Sequence, residues 1–335
     1  MKRFRVPFAI LVASALVAVG AGFASSKSAT STASSTSAAT ALQNAFASVY
    51  STVSPSVVQI QTSEGLGSGI VFDSKGDIVT NDHVVGTAKT FTVTTSAGKK
   101  LTGKLVGTFA EDDLAVIKVS AAGLHPASFA DSNSLRIGDI AMAIGNPLGL
   151  SSSFTEGLVS ALNRQEPEGN GVILPSAIQT SAAINPGNSG GALVNIHGAV
   201  IGIPTLAAED PQLGGAAAGI GFAIPSNTVK SIASQLIDTG KVTNSNRAFL
   251  GIETADTGEA SGVYITQVLP GSAAGKAGLV AGDLITAVNT TPTPTSSDLG
   301  TALAALKPGQ TVTIKYSLQS GAKKSVQVTL GEVKG

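Results

Sequence analysis

One serine in the chain stands in a frame that suits a nucleophile. Residues 185–191 read Asn-Pro-Gly-Asn-Ser-Gly-Gly, so Ser189 has glycines on both sides that permit a sharp turn and the close approach of a carbonyl. Acyl transfer needs an exposed hydroxyl and nearby backbone N–H groups for the oxyanion, and such a turn can supply both. An ordinary turn can carry the same residues, so the reading depends on partners elsewhere. There is no cysteine, which excludes thiol nucleophiles, disulfides and thiolate metal sites. Three histidines are present, His83, His125 and His197. They are far apart and form no His-Glu-x-x-His pair, so a histidine zinc site is not expected. His125 beside Pro126 and His197 beside Gly198 read as turn residues. His83, in Thr80-Asn81-Asp82-His83-Val84-Val85 at the end of a strand pattern, is left as the partner of Ser189. A carboxylate should then fix the imidazole tautomer. Glu111, Asp112 and Asp113 all precede an apolar strand, and Asp113, immediately before it, is the one a rigid barrel would hold best. The order His83, Asp113, Ser189 is one of three in which this constellation recurs on unrelated folds. No phosphate loop competes: the segment from Gly271 to Ala277 has the wrong spacing and lacks the final hydroxyl, so no cofactor is expected.

The elements that must position these residues are short and β-rich. The chain has 335 residues, enough for two domains. Its 21 basic and 21 acidic residues cancel, which argues against a nucleic-acid partner. Charged residues are 13% of the chain while Gly numbers 39, the balance of a β protein with many tight turns. Apolar runs at 57–62, 69–73, 91–95, 114–119, 140–144, 199–203 and 220–224 alternate with Gly, Asn, Asp and Pro, predicting an all-β barrel or sandwich. One helix is predicted over 226–238, capped by Ser226 and closed by Gly240, with Val229, Ile232, Ala233, Leu236 and Ile237 on one face. Residues 44–240 thus form the first domain and the polar stretch 241–247 a linker. Residues 248–335, with five or six strands and two helices, form a second, smaller domain.

The N-terminus reads as an address. Lys2, Arg3 and Arg5 precede an uncharged apolar run over 6–24, the pattern of a secretory signal. Its length also approaches a membrane span. A retained anchor is slightly favoured over a cleaved signal, which places the body at the cell envelope or the extracellular face of the membrane. The Ser/Thr/Ala-rich segment 25–43 is predicted to be a disordered tether.

Five ordered stretches, T-N-D-H-V-V, D-L-A-V-I-K-V, G-N-P-L-G-L, N-P-G-N-S-G-G-A-L-V-N and G-I-G-F-A-I-P, resemble the HtrA/Deg family of exported serine proteases. The resemblance runs from about Phe46 to the C-terminus. It implies a mainly β fold, a chymotrypsin-like double β-barrel followed by one PDZ domain, β-rich with two helices. It further implies His83 as general base, Asp113 as its orienter and Ser189 as nucleophile, with an oxyanion hole at Gly187, Asn188 and Ser189. The specificity pocket would be walled by Ala183, Ile184, Ile220, Gly221 and Phe222, without a carboxylate, so cleavage is expected after small or medium aliphatic residues. The second domain matches at Phe249, Leu250, Gly251 and Ile252, a loop that would capture a peptide's C-terminal carboxylate with Arg247 near enough to assist. Two departures stand out. Asp82 replaces the family's usual Asn, and Pro204 replaces another Asn near the substrate-binding strand.

The implied activity is ATP-independent cleavage of unfolded or damaged proteins, with the PDZ domain recruiting or regulating. Two rivals are a narrow regulatory protease triggered by a C-terminal peptide and a non-catalytic holdase that binds exposed C-termini. A homotrimer is also implied, with Phe46 and Tyr50 as contact aromatics or as plain core packing.

Overall fold

Apolar residues in short strands between 57 and 225 close two barrels. The computed structural model describes residues 30–335 apart from 64, 122, 147–152, 170–171, 186, 211–214 and 257–261. The expectations for residues 1–29 lie outside the described residues. The chain divides into two compact units, 1–44 and 45–335.

Residues 30–43 are not extended coil: they belong to helix α1 (Thr30–Val53). Alanine is the strongest helix former, and Ala33, Ala38, Ala39 and Ala41 extend towards the N-terminus a helix whose last turns bury Val49 and Val53. Among the described residues, no helix is long and apolar enough to cross a membrane.

The first barrel comprises β1 (Val57–Gln61), β2 (Leu66–Val71), β3 (Asp77–Thr80), β4 (Thr90–Thr94), β5 (Lys100–Phe109) and β6 (Leu114–Lys118). They close in the order β1-β2-β3-β6-β5-β4. The short helix α2 (Asp82–Val85) follows β3. The second barrel comprises β7 (Ile140–Gly145), β8 (Ser153–Gly169), β9 (Val172–Thr180), β10 (Ala192–Val194), β11 (Val200–Asp210) and β12 (Gly215–Pro225), in the order β10-β11-β12-β9-β8-β7. The largest core lies where the barrels meet. It packs Val57, Ile70, Val79 and Leu114 from one with Met142, Ile144, Ile203 and Phe222 from the other. Each such side chain contributes about 1.5–3 kcal/mol on burial.

Helix α3 (Ser226–Thr239) buries Val229, Ile232, Ala233 and Leu236 into that same core, and Gly240 ends it at φ 70°. Its start differs from expectation. Ser226 is fully buried and donates to the Ala130 carbonyl at 2.9 Å rather than capping the helix. The segment 241–247 is likewise no free linker, since Val242 is buried and exchanges two backbone hydrogen bonds with Gly335.

The smaller domain forms a sheet of β14 (Ile252–Asp256), β15 (Val263–Val268), β16 (Leu284–Val288), β18 (Thr311–Ser317) and β19 (Lys323–Thr329), in that spatial order. The short β17 (Thr291–Pro292) pairs with β16, and β13 (Ala248–Phe249) pairs with β20 (Gly331–Glu332). Helices α4 (Ala273–Lys276) and α5 (Ser296–Ala304) complete it, α5 opened by a capping box in which Thr295 and Asp298 bond reciprocally. Its core is separate, built on Leu250, Ile265, Leu279, Ile285, Ile314 and Val328. In order these elements are the expected double barrel followed by a β-rich domain with two helices, with short β13, β17 and β20 adding to the five or six strands expected there.

Candidate active site

The three residues singled out in the sequence come from both barrels. His83 lies in α2, one residue into a helix that follows directly on β3. Asp113 closes the 3-10 turn Ala110–Asp112 in a left-handed conformation, φ 48° and ψ 46°, immediately before β6. A non-glycine residue held there stores strain that its surroundings must offset. They do so through contacts: the Asp113 carboxylate accepts from His83 Nδ1 at 2.9 Å and from the His83 backbone N–H at 3.0 Å, while Asn81 Nδ2 donates to its carbonyl at 3.0 Å. Asp113 is buried and His83 is half exposed, its side chain at 48%. Glu111 and Asp112 do not reach the histidine.

A fourth residue, which the sequence did not single out, completes the carboxylate's shell. Thr205 in β11 donates its hydroxyl to Asp113 Oδ2 at 2.6 Å across the two barrels. Burial opposes the charged imidazole, but the Asp113 hydrogen bond and charge, with Asp82 adding to them, hold His83 above its ordinary value. Asp82 turns its carboxylate to the Thr108 hydroxyl; burial, then the Asp113 charge, raises its own pKa.

Ser189 shares a cleft of about 410 Å³ with His83 and Gly187. Its hydroxyl donates to the Thr205 carbonyl at 3.1 Å, and no hydrogen bond joins it to His83. A change of χ1 rotamer is therefore the step that would engage it with the imidazole. Gly187 has φ 98°, open to glycine alone at little cost. Among the described residues, neither the Gly187 nor the Ser189 N–H has an acceptor within the protein, while the Asn188 N–H donates to the Asn185 carbonyl at 2.9 Å. Asn188 is buried: its side-chain amide donates to the Ala183 carbonyl, and its oxygen accepts from Ser153. It supports the turn from behind rather than offering a donor of its own.

The residues named for a specificity pocket separate. An added Cβ at Gly221 would fall 2.4 Å from Ile184 Cγ1, so these two pack together. Ile220 is exposed and so is Ala183. Phe222 is 3% exposed and belongs to the core between the barrels, because alternate residues of β12 face opposite ways. His197 sits in the turn between β10 and β11, where its N–H donates to Asn195 Oδ1. Pro204 accepts at its carbonyl from the Gly190 N–H at 3.1 Å. Among the described residues no group of three or more His, Asp or Glu gathers as metal ligands.

In the smaller domain, Phe249 ends β13 and Leu250 is buried. Gly251 turns at φ 78°, and Ile252 starts β14, an edge strand of its sheet. The N–H groups of Leu250 and Gly251 donate to no group among the described residues. Arg247 is not available to a ligand there. Its guanidinium donates to Asp112 Oδ1 at 2.7 Å, to the Ile173 carbonyl at 2.7 Å and to the Glu111 carbonyl. This ties the loop to the turn that carries Asp113. Phe46 and Tyr50 both pack on Phe154, with ring centroids 6.3 and 6.0 Å apart.

Residues 67–203 match the trypsin-like peptidase domain family and residues 248–330 the PDZ domain family. The chain is 41% identical over 282 residues to the periplasmic pH-dependent serine endoprotease DegQ of Escherichia coli K12, covering 81% of this chain and 60% of that protein. It is 40% identical over 307 residues to the serine protease PepD of Mycobacterium tuberculosis H37Rv, covering 85% and 65%. It thus spans about three fifths of the length of these curated relatives. Among solved structures, the serine endoprotease from Yersinia pestis is 34% identical, with a TM-score of 0.59, covering 86% of this chain and 98% of that one. The HtrA-type protease AlgW with a decapeptide is 29% identical, with a TM-score of 0.60, covering 85% and 98%. With two barrels meeting at a Ser, His and Asp and a PDZ domain behind them, the chain belongs to the HtrA/Deg family of serine proteases.

Proposed function

We propose that this protein is an exported, ATP-independent serine endopeptidase that cleaves unfolded or damaged proteins. The observation that carries the reading is the His83–Asp113 pair, fixed by two ring contacts at 2.9 and 3.0 Å and opening on the cleft that holds Ser189. In the proposed reaction the Ser189 hydroxyl rotates from the Thr205 carbonyl to His83 Nε2. The oxygen attacks the substrate carbonyl as the imidazole takes its proton, and Asp113 stabilises the charged ring. The Gly187 and Ser189 N–H groups hold the oxyanion. His83 then returns the proton to the leaving amine, and water repeats the sequence on the acyl-enzyme. Ser189→Ala should abolish digestion of denatured casein with fold and thermal melt unchanged, since loss of a triad member costs several orders of magnitude in rate. Digestion at near wild-type rate would refute the assignment.

The PDZ domain is proposed to take peptides with a free C-terminal carboxylate, on the Leu250 and Gly251 N–H groups with the chain added along β14. The Arg247 contacts favour a regulatory use of this site over recruitment alone, because its loop leads into a side chain bonded one residue from Asp113. Calorimetry with a peptide ending in an apolar residue should show binding that is lost on amidation. Equal affinity for acid and amide would remove the capture reading. The trimer and membrane retention by residues 6–24 belong to the same proposal; size measurement in solution and N-terminal sequencing of the native protein test them.

A further inference from the structure

The turn that bears Ser189 belongs to the second barrel, yet its seat is a residue of the first. Ser68, in β2, is fully buried between Gly67 and Gly69. Its backbone N–H donates to the Ser189 carbonyl at 2.9 Å. Its hydroxyl accepts from the Asn146 N–H at 2.8 Å, at the end of β7, and donates to the Gly187 carbonyl at 2.5 Å. The donor assignment is unambiguous: an amide can only donate, so the one hydroxyl proton goes to Gly187. The Ser68 carbonyl accepts from the buried Thr80 hydroxyl at 2.6 Å, which fixes Ser68 in turn.

The peptide planes of the turn show what this holds. The plane between Gly187 and Asn188 is held at its carbonyl by Ser68 Oγ and at its N–H by the Asn185 carbonyl. The plane between Ser189 and Gly190 is held at its carbonyl by the Ser68 N–H and at its N–H by the Pro204 carbonyl. The intervening plane, held at its carbonyl by the Gly191 N–H, carries the free Ser189 N–H. Ser68 therefore grips the planes on both sides of that donor. The first of them also borders Gly187, a glycine at φ 98° without the Cβ that restrains Asn188 and Ser189. Gly145 adds a floor, since a Cβ there would fall 2.9 Å from the Gly187 carbonyl oxygen.

We propose that Ser68 is a positioning residue for the oxyanion hole: its hydroxyl links the end of β7 to the Gly187 carbonyl and so aims the N–H groups of residues 187 and 189 at the reacting carbonyl oxygen. The inference rests on Ser189 being the nucleophile. A group that acts this way affects the tetrahedral state and leaves ground-state binding alone.

Ser68→Ala is tested with a peptide substrate and with a peptide boronic acid. The boronic acid forms a bond from Ser189 Oγ to boron while His83 takes the hydroxyl proton, leaving an anionic tetrahedral boronate in the hole. We expect kcat to fall roughly 10- to 100-fold with KM within about twofold, and affinity for the boronic acid to fall by the same factor as kcat. Thermal melt should fall by several degrees, because the Asn146 N–H and the Gly187 carbonyl lose a buried partner, while the pH at which activity is half lost on the acid side should not move. Ser68→Cys, close in shape but a poor donor, should behave like alanine and serves if the alanine variant does not fold. Wild-type kcat, a rise in KM alone, or a kcat loss without weaker boronate binding would overturn the proposal. So would failure of both variants to fold, which would make Ser68 a residue of barrel stability. Ser189→Ala, assayed alongside, separates the two readings: if it stays active the nucleophile is wrong, whereas a dead Ser189→Ala beside an unaffected Ser68→Ala removes only the role of Ser68.

Discussion

Arg247→Met removes a cation from one of the most enclosed contacts in the molecule. The Arg247 side chain is 15% exposed and the Asp112 carboxylate it meets at 2.7 Å is 3% exposed. Methionine keeps much of the packing of the arginine stem, so the loss is mainly electrostatic. Breaking a buried pair by removing one partner costs about 3–5 kcal/mol, because the remaining charge is left without compensation. That is roughly a 10²- to 10⁴-fold change in the folding constant. The double variant Arg247→Met, Asp112→Asn should recover the part of the loss that comes from the uncompensated Asp112 charge, while the bonds to the Ile173 and Glu111 carbonyls stay lost.

The pH dependence gives a sharper test. Burial already pushes the Asp112 carboxyl up against the opposing Arg247 charge, and without the arginine nothing opposes it. An acid whose folded pKa exceeds its unfolded value binds its proton more readily in the fold. Stability is therefore lost as pH rises through that window and regained below it. The deficit of Arg247→Met, measured by urea unfolding, should thus be large at neutral pH and shrink towards acid pH. A deficit below about 0.5 kcal/mol, or one that is flat with pH, would refute the reasoning; the first is the size of an ordinary surface change.

Two further outcomes follow from the site. Activity should be lost as pH falls through the His83 pKa, which lies above the ordinary imidazole value; Asp82→Asn removes one charge that raises it and should move that acid limb to lower pH, as a kcat/KM profile would show. Thr205→Val deletes a 2.6 Å hydrogen bond to a buried carboxylate; at about 1.5–3 kcal/mol for a bond to a charged group, kcat/KM should fall roughly 10- to 100-fold, and an unchanged value would show that Asp113 is held without it.

The chemistry-bearing residues were legible because each stands in a stretch of unusual composition: Ser189 among glycines, His83 behind a polar Thr-Asn-Asp step, Asp113 at the head of an apolar strand. Their supports were not. Thr205 and Ser68 sit in strands where a hydroxyl residue is ordinary, and their partners lie 92 and 119 positions away. Nothing local marks a side chain whose purpose is set by such a distant contact. Phe222 was misplaced for the same reason, because the face a strand residue presents depends on register against β9 and β11. The long hairpin of β8 and β9 escaped the period-two reading because its outer part, Gln165-Glu166-Pro167-Glu168, is polar and carries a proline. Ser226 has the right type for a cap, but Pro225 holds the capping position, and the buried Ser226 hydroxyl donates to the Ala130 carbonyl where a capping oxygen would accept from helix N–H groups.

If, as proposed, the protein meets unfolded chains, it must avoid being recruited into their aggregates, and the sheets differ in that respect. An unpaired strand edge offers a row of N–H and C=O groups to any extended polypeptide. Closure shields most of the barrel strands, and unpaired edges remain where β8 and β11 run on beyond their pairing with β7 and β10. The PDZ sheet has two edges. At β19 the strand begins with Lys323 and Lys324, both exposed, whose charges discourage the stacking of one β-strand on another. The other, β14, runs beside α5, where Ser296 bonds both Thr254 and Asp256 and so ties the first turn of the helix to that edge. For a peptide adding along β14 as proposed, those ties would limit the paired length, which suits a chain terminus better than the middle of a sticky polypeptide.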